Sequence, residues 1–277
     1  MLISRRLKGI PTSLANFFTN RRDITGTLLI GERVMFPYRD ENVTQRPPYI
    51  TISLIVANVL VWLFVQGAGS SLSLAASVCN LGLIPGELTG MLPPGERFPM
   101  GEGLVCITDP GRQTSHLFTS MFLHGSWLHL LGNMWFLWLF GNNVEDAMGR
   151  PQFLLFYLLC GLVAALLQVV TSPDSGVPMV GASGAISGVM GAYLILYPHV
   201  RVYTVVPLGF ILTTVALPAW TMLAYWMLIQ LVSGLTAIGG KPGGGVAFWA
   251  HVGGFIAGMV LVKLFARPDY VAAHQAS

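Results

Sequence analysis

The sequence predicts an all-α membrane protein, a bundle of six transmembrane helices with a long loop between spans 1 and 2. Of its 277 residues, 53% are hydrophobic and only 10% are charged, whereas soluble globular domains carry about 25% charged residues. Only ten charged side chains lie between Gly111 and Ser277, and long apolar runs separate them. Such runs are typical of helices that cross a bilayer, so the composition excludes a soluble globular domain.

Residues 1–46 are predicted to form a cytoplasmic tail, since eight of the fifteen basic residues lie there and no long apolar run interrupts them. The first span, residues 49–66, follows a pair of prolines. The next segment, 67–116, is a long loop rich in Gly, Pro and Ser, and loops of this length are usually functional or disordered. Its cysteines, Cys79 and Cys106, could form one disulfide, but we expect two unrelated thiols because the chain has too few cysteines for a framework.

Prolines and glycines separate the five remaining spans. One apolar stretch is too long for a single span and is broken by Pro207 and Pro218, so its first part, residues 202–216, is predicted to be a connection at the membrane interface. The bounds of spans two to six are predicted to be 117–140, 152–170, 183–197, 217–235 and 246–265. The six spans form one domain, residues 47–266, and leave 267–277 as a short cytoplasmic tail.

The distribution of basic residues predicts the orientation of the spans. With both termini in the cytoplasm, twelve Lys and Arg residues lie on the cytoplasmic side and three, Arg97, Arg112 and Lys241, lie on the other. Cytoplasmic loops of membrane proteins carry the excess of basic residues, so the inverted arrangement is disfavoured. The start of the fourth span, at Ser183, then opens to the non-cytoplasmic side.

Ser183 lies in a glycine-rich run that continues as the apolar fourth span. Gly184, Gly188 and Gly191 recur at helical spacing and line one face, which lets another backbone approach closely. A helix of about 15 residues rises roughly 22 Å, less than the ~30 Å hydrocarbon core. The serine is therefore expected below the membrane surface, where irregular backbone must line a wet cavity or be buried in protein. It could act as a nucleophile, although the same pattern is also compatible with a packing face alone.

Four further polar side chains lie in or beside the predicted spans. His129 and Asn133 are one turn apart in the second span, and His124 precedes them by about a turn. In the sixth span His251 is followed by Gly254 and Gly258, which give that helix its own face of small residues. Close packing of the fourth and sixth helices would bring His251 against the serine. Each polar group alone could simply bond another helix, but polar groups in spans are costly and together they indicate a site.

The residue types exclude two classes of membrane protease. A zinc peptidase would need a His-Glu-x-x-His helix, which the sequence lacks, and no metal or cofactor is expected. An aspartyl mechanism needs two carboxylates in facing spans, and no span has an acidic residue in its interior. What remains is a serine and a histidine without an acid to orient the imidazole, which is the composition of a catalytic dyad.

Three separated motifs resemble the signature of the rhomboid intramembrane serine proteases, in the order of that family and on the expected spans. The motifs are His129-x-x-x-Asn133, Gly181-Ala-Ser-Gly184 and Ala-His251-Val-Gly-Gly254. The resemblance covers about residues 36–266 and implies a rhomboid-like six-transmembrane-helix bundle. It also implies an intramembrane serine endopeptidase that cleaves transmembrane segments of membrane proteins.

The resemblance assigns a role to each motif residue. Ser183 would be the nucleophile and His251 the general base. Asn133, His129 and the backbone N–H of Ser183 would form the oxyanion hole, and Gly181 would leave room in the loop before the serine.

Further residues are expected to support this site. By the resemblance Glu145 is a structural acid at the helix ends, and His124, Gly184, Gly254 and Gly258 are structural candidates. Some family members place a tyrosine against the catalytic histidine where this chain has a serine, Ser187, so the group that orients the imidazole is left open.

The implied partners are transmembrane-helix protein substrates and the lipid bilayer. The net charge of +3 is carried by the ends of the chain, so nucleic acid is not expected. The implied location is a bacterial inner membrane, and the oligomeric state is open. Two alternatives stand beside the protease: a non-catalytic rhomboid-like scaffold, whose known members lack the serine or the histidine, and a small-solute transporter, which would need charges at mid-membrane or broken repeat helices.

Overall fold

The computed structural model describes residues 8–9, 36–101, 103–208, 211–238 and 246–275. A π-helical turn extends α1 to Val65, and single 3-10 turns lie at Gly67–Gly69 and Ser120–Phe122. The other elements follow one another along the chain as β1 (Lys8–Gly9), β2 (Phe36–Asp40), α1 (Tyr49–Leu60), α2 (Ser71–Leu81), α3 (Pro85–Thr89), β3 (Arg97–Gly101), β4 (Leu104–Ile107), α4 (His116–Thr119), α5 (Trp127–Met148), α6 (Arg150–Thr171), α7 (Ser183–Leu196), β5 (Arg201–Leu208), β6 (Ile211–Pro218), α8 (Ala219–Ile238), α9 (Phe248–Phe265) and α10 (Pro268–Gln275).

Three helices in the described part of the chain, α6, α8 and α9, are long and apolar enough to cross a membrane. The extended α1 and the 14-residue α7 are apolar but shorter. Helix α5 has 22 residues, but its last turns carry two asparagines and the acidic pair Glu145 and Asp146. A helical fold with candidate membrane spans is therefore confirmed, whereas the count of six spans stays a prediction.

The predicted bounds of the second span, 117–140, are wrong at both ends. Helix α5 begins at Trp127 because the side chain of Ser126 caps it, with Oγ accepting the N–H of His129 at 3.1 Å. The residues before this cap form α4 and a 3-10 turn. At its other end the helix continues to Met148, because the polar side chains of its last turns form hydrogen bonds with other segments of the protein.

Helices α7 and α9 pack backbone against backbone at the centre of the bundle. A methyl group on Gly254 would overlap the carbonyl oxygen of Gly184, and one on Gly258 would overlap that of Gly188. Small residues permit this approach because no side chain separates the two helices. The first turns of α7 and α9 consequently lie side by side.

Glu145 joins the end of α5 to the start of α1. Its carboxylate accepts the backbone N–H groups of Ile50 at 3.0 Å and Thr51 at 2.8 Å, and the hydroxyl of Thr51 at 2.8 Å. The first N–H groups of a helix have no partner within the helix, and a negative charge there also interacts favourably with the helix dipole. The carboxylate thus completes the buried N-terminus of α1.

Replacing Glu145 by glutamine should lower the stability of the protein. The amide has only one acceptor oxygen and no charge, so it loses charge-assisted hydrogen bonds worth roughly 1.5–3 kcal/mol each, in part compensated by the remaining oxygen. We expect a lower thermal unfolding temperature in detergent. Asp269→Asn, at an exposed side chain in α10, is the control and should unfold like wild type. An unchanged unfolding temperature for Glu145→Gln would contradict this account.

The stretch 202–216, for which we predicted a connection at the interface, lies within a β-hairpin. Strands β5 and β6 pair antiparallel from Arg201 opposite Pro218 to Leu208 opposite Ile211, and β2 pairs with the other edge of β5. The stretch is rich in valine and threonine, which favour strands. The hairpin leads directly into α8.

The loop after α1 is folded and crosslinked. Cys79 of α2 and Cys106 of β4 form a disulfide, so the expectation of two unrelated thiols was wrong. Both cysteines are fully buried against Ile84, a contact between distant segments that their spacing does not reveal. Leu83, four residues after Cys79, exchanges two backbone hydrogen bonds with Met179, at 3.0 and 2.7 Å, and so attaches this loop to the segment before α7.

Two parts of the predicted N-terminal tail, residues 1–46, lie in different sheets. Strand β1 pairs with β4 in a sheet of order β1-β4-β3, whereas β2 belongs to the sheet of order β2-β5-β6. These sheets lie at opposite ends of the bundle, because β4 follows the end of α1 and β5 follows the end of α7. The rest of the segment lies outside the described residues, so the cytoplasmic tail of residues 1–46 stays a prediction.

Candidate active site

The packing of α7 on α9 brings Ser183 and His251 together. Ser183 is the first residue of α7 and His251 lies in the first turn of α9. The Oγ atom of the serine and Nε2 of the imidazole are 2.8 Å apart, a normal hydrogen-bond length between a nucleophile and its base. These two residues are 68 positions apart in the sequence, so their contact depends on the helix pairing.

The backbone before the serine makes a turn that requires glycine. Gly181 has a φ of +128°, which L side chains rarely adopt, and its N–H donates to the carbonyl oxygen of Ser120 at 2.9 Å. A Cβ atom there would also lie 2.9 Å from the ring of His129. This turn presents the serine at the start of a helix, where unpaired backbone N–H groups point outward.

His129 and Asn133 direct hydrogen-bond donors toward the same space. Nδ1 of His129 accepts the N–H of Gly125 at 3.3 Å, so in the neutral ring Nε2 carries the hydrogen. The amide nitrogen of Asn133 is buried and has no protein partner among the described residues. Donors of this kind in a protected site can stabilise a developing negative charge.

His124 lies behind this site rather than in it. Its side chain is fully buried and packs edge-on against His129, with ring centroids 5.1 Å apart. Gln66 holds its backbone, because the amide of Gln66 accepts the N–H of His124 at 2.8 Å and donates to its carbonyl at 2.7 Å. The ring of His124 therefore supports the ring of His129 from behind.

Ser183, His251, His129 and Asn133 line one cavity of about 610 Å³. Ordinary small-ligand pockets measure about 300–1,000 Å³, so the space can hold a short stretch of extended chain together with water. Much of its wall consists of residues with little or no side chain: Gly125, Gly132, Gly161, Ala164, Ala165, Gly184, Ala247 and Ala250. The arrangement can therefore admit a substrate backbone close to the serine.

Sequence reasoning did not single out Gln230 or Trp226, two residues of α8 that contact the imidazole. Oε1 of Gln230 lies 2.7 Å from Nδ1 of His251, and the Trp226 ring centroid lies 5.8 Å from that of the histidine. Ser187 makes no such contact, since its hydroxyl donates to the carbonyl oxygen of Ser183 at 2.6 Å. A glutamine within an apolar span was the available signal, because polar groups there are costly.

A protein-family model described as "Rhomboid domain" matches residues 111–268. The chain belongs to the rhomboid family. This match covers α4 to α9 and hence both residues of the Ser183–His251 pair, and the membership confirms the family that the three motifs indicated. Rhomboid proteins are membrane proteins and are generally intramembrane serine proteases, although some members are inactive.

Several named rhomboid proteins are similar to this chain. "RHOMBOID-like protein 1" of Arabidopsis thaliana is 28% identical over 231 residues, which are 80% of this chain and 55% of that protein. "Rhomboid-like protein 11, chloroplastic" of the same plant is 32% identical over 155 residues, 54% of this chain and 51% of that protein. "Presenilin-associated rhomboid-like protein, mitochondrial" of Bos taurus is 31% identical over 153 residues, 52% of this chain and 36% of that protein.

This rhomboid chain spans about half the length, or less, of these relatives. Two of the relatives carry chloroplastic or mitochondrial names. The comparison therefore gives no support to the expected bacterial inner membrane, and only the membrane location itself is supported.

Proposed function

We propose that this rhomboid protein is an intramembrane serine endopeptidase that cleaves transmembrane segments of other membrane proteins. The observation that carries the proposal is the 2.8 Å contact between Ser183 Oγ and His251 Nε2, at the edge of a cavity that could hold peptide and water. An inactive scaffold would not need this pair, because binding a client helix requires neither a nucleophile nor a base.

The proposed reaction is acyl transfer to the serine followed by hydrolysis. Ser183 Oγ bonds to the carbonyl carbon of the scissile peptide as its proton moves to Nε2 of His251. The oxyanion that forms is stabilised by Asn133, His129 and the backbone N–H of Ser183, and the imidazolium then protonates the leaving amine as the C–N bond breaks. A cavity water, deprotonated by the same imidazole, attacks the ester, releases the carboxylic product and regenerates the serine.

The proposed substrates are helices that unwind near one end. An intact helix keeps its carbonyl groups in its own hydrogen bonds, so the serine can reach only an unwound segment. Glycine and proline make unwinding easier, because they cost a helix about 1 and about 3 kcal/mol respectively. We propose that such a segment enters sideways between α5 and α8, which border the cavity through Phe136 and Trp226.

We propose that α1 and α5 to α9 are the six spans and that Ser183 opens to the non-cytoplasmic side. Basic side chains support this orientation, because they are enriched in cytoplasmic segments of membrane proteins. Among the described residues, six lie at the end of the bundle that carries β2, β5 and β6, namely Arg39, Arg46, Arg150, Arg201, Lys263 and Arg267. Arg97 and Arg112 lie at the other end.

A serine-directed fluorophosphonate tests the proposal on the wild-type protein in detergent. We expect cleavage of a transmembrane reporter and, after labelling, loss of that cleavage, with mass spectrometry placing the adduct on Ser183 rather than on Ser187. Ser187 lies one turn later on the same helix but is buried, and its hydroxyl donates to the carbonyl oxygen of Ser183, so we expect no adduct there. A protein that binds the reporter but neither cleaves it nor takes the label would be a scaffold, and the proposal would be wrong.

Replacing Asn133 by alanine should slow cleavage without abolishing it. Loss of one oxyanion donor typically costs about 2.7–4 kcal/mol, or 10²–10³ in kcat, and the donors on His129 and the backbone remain. Because the amide nitrogen has no protein partner among the described residues, its removal should leave the unfolding temperature near that of wild type. The measurement is kcat on the reporter, and cleavage at the wild-type rate would remove Asn133 from the proposed oxyanion hole.

A further inference from the structure

The imidazole of His251 has hydrogen-bond partners on both ring nitrogens, from two different helices. Nε2 faces Ser183 of α7 at 2.8 Å, and Nδ1 faces Oε1 of Gln230 of α8 at 2.7 Å. Gln230 as a whole residue is 8% exposed, and a buried amide needs partners because an unsatisfied polar group is costly. The hydrogen bond between Gln230 and His251 is therefore a buried contact between α8 and α9.

We propose that Gln230 is a positioning residue that fixes the tautomer of His251, an inference that rests on the proposed serine chemistry. A carbonyl oxygen can only accept a hydrogen bond, so Nδ1 must carry the hydrogen when it faces Oε1. In the neutral ring Nε2 is then unprotonated and can accept the proton of Ser183. The opposite tautomer would present an N–H to the serine and could not act as its base.

The same contact supports the histidine after it has taken the proton. An imidazolium is a donor at both nitrogens, and the carbonyl oxygen of Gln230 remains in place for the charged Nδ1–H, a hydrogen bond stronger than a neutral one. In other serine hydrolases an acidic residue orients the histidine. The described spans offer no carboxylate at this position, and Gln230 supplies a neutral acceptor instead.

Helix α8 supplies a second contact that aligns the ring. Trp226 lies one turn before Gln230, hence on the same face of α8, and its ring also contacts Phe255, with centroids 6.1 Å apart. Trp226 limits the tilt of the imidazole while Gln230 selects its protonated nitrogen. Gln230 and Trp226 together orient His251, whereas Ser187 does not contact the imidazole.

The first test changes the acceptor and keeps the volume. Gln230→Met removes the carbonyl oxygen, and we expect kcat on the transmembrane reporter to fall on the order of 10- to 100-fold, as for a lost hydrogen bond to a charged group, with KM little changed. Gln230→Glu keeps an acceptor oxygen and should restore most of the rate. A Gln230→Met protein as active as wild type, or a folded Gln230→Glu protein as slow as Gln230→Met, would overturn the inference.

The matched control is Gln168→Met on α6. The side chain of Gln168 accepts the N–H of Ala250 at 3.3 Å, so it holds the same turn of α9 but does not contact the imidazole. We expect this variant to keep kcat within about threefold of wild type, a ratio worth ~0.7 kcal/mol. Equal losses in the Gln168 and Gln230 variants would indicate that both glutamines only hold α9 in place, contrary to the proposal.

A spectroscopic measurement separates this inference from the proposed function. In wild-type protein labelled with ¹⁵N-histidine, the His251 signals, assigned by their loss in His251→Ala, should report hydrogen on Nδ1 and none on Nε2 near neutral pH. Hydrogen on Nε2 would overturn the inference even if the protein cleaves its reporter. The protein could instead show hydrogen on Nδ1 but neither cleave the reporter nor take the fluorophosphonate. The inference about the tautomer would then hold, and the proposed protease function would be wrong. This readout also holds if Gln230→Met fails to fold.

Discussion

Replacing Ser183 by alanine should abolish cleavage of a transmembrane reporter and leave the bundle folded. The hydroxyl is the only group in the Ser183–His251 pair that can form the acyl intermediate, so its loss removes the covalent route entirely. Alanine fits without strain, because it keeps the Cβ atom and favours the helix that begins there. The measurement is reporter cleavage by purified protein, with thermal unfolding as the check on folding.

Ser187→Ala is the matched control for this prediction. Its hydroxyl donates to the carbonyl oxygen of Ser183 within α7, so the variant loses one local hydrogen bond and no nucleophile. We expect it to retain most of the wild-type rate. Undiminished cleavage by Ser183→Ala would rule out the proposed mechanism.

Replacing Gly258 by alanine should destabilise the protein strongly, although it adds a single methyl group. That methyl would overlap the backbone carbonyl of Gly188, and a backbone atom cannot move aside without shifting a whole helix. Overpacking of a core typically costs about 1–3 kcal/mol, occasionally more. Because α7 and α9 carry the serine and the histidine, their separation should also lower activity in whatever protein remains folded.

Gly132→Ala is the control for the Gly258 variant. Gly132 lies inside α5, and a Cβ atom there would meet no heavy atom within 4 Å. Alanine stabilises a helix by about 1 kcal/mol relative to glycine, so this variant should unfold at or above the wild-type temperature. A Gly258→Ala protein as stable as Gly132→Ala would show that the close contact of α7 and α9 is not needed for stability.

Features that depend on spacing within one helix could be predicted from the sequence. His129 and Asn133 are four residues apart, and the small residues of α7 recur at three and four, so the spacing alone places each set on one face of its helix. The small-residue faces of the fourth and sixth predicted spans also place His251 against Ser183, and the structure has these two side chains 2.8 Å apart.

Features that depend on the rotation or pairing of separate elements could not be predicted. Helix α8 is apolar around most of its circumference, so no pattern indicated that Gln230 faces the imidazole. The partners Cys79 and Cys106 are 27 residues apart, and only the folding of α2 onto β4 brings them together. The apolar run that forms the β5–β6 hairpin has a composition compatible with either a connection at the membrane interface or two strands, so composition alone could not distinguish them.

The Cys79–Cys106 bridge has a consequence for where the products of cleavage would go. Disulfides persist in oxidising compartments and are rare where cellular reductants keep thiols reduced. The bridge lies four residues from Leu83, whose pairing with Met179 attaches it to the turn that presents Ser183. On the proposed orientation, the water-soluble fragment of a cut substrate would therefore be released into an oxidising compartment, where disulfides in that fragment would persist.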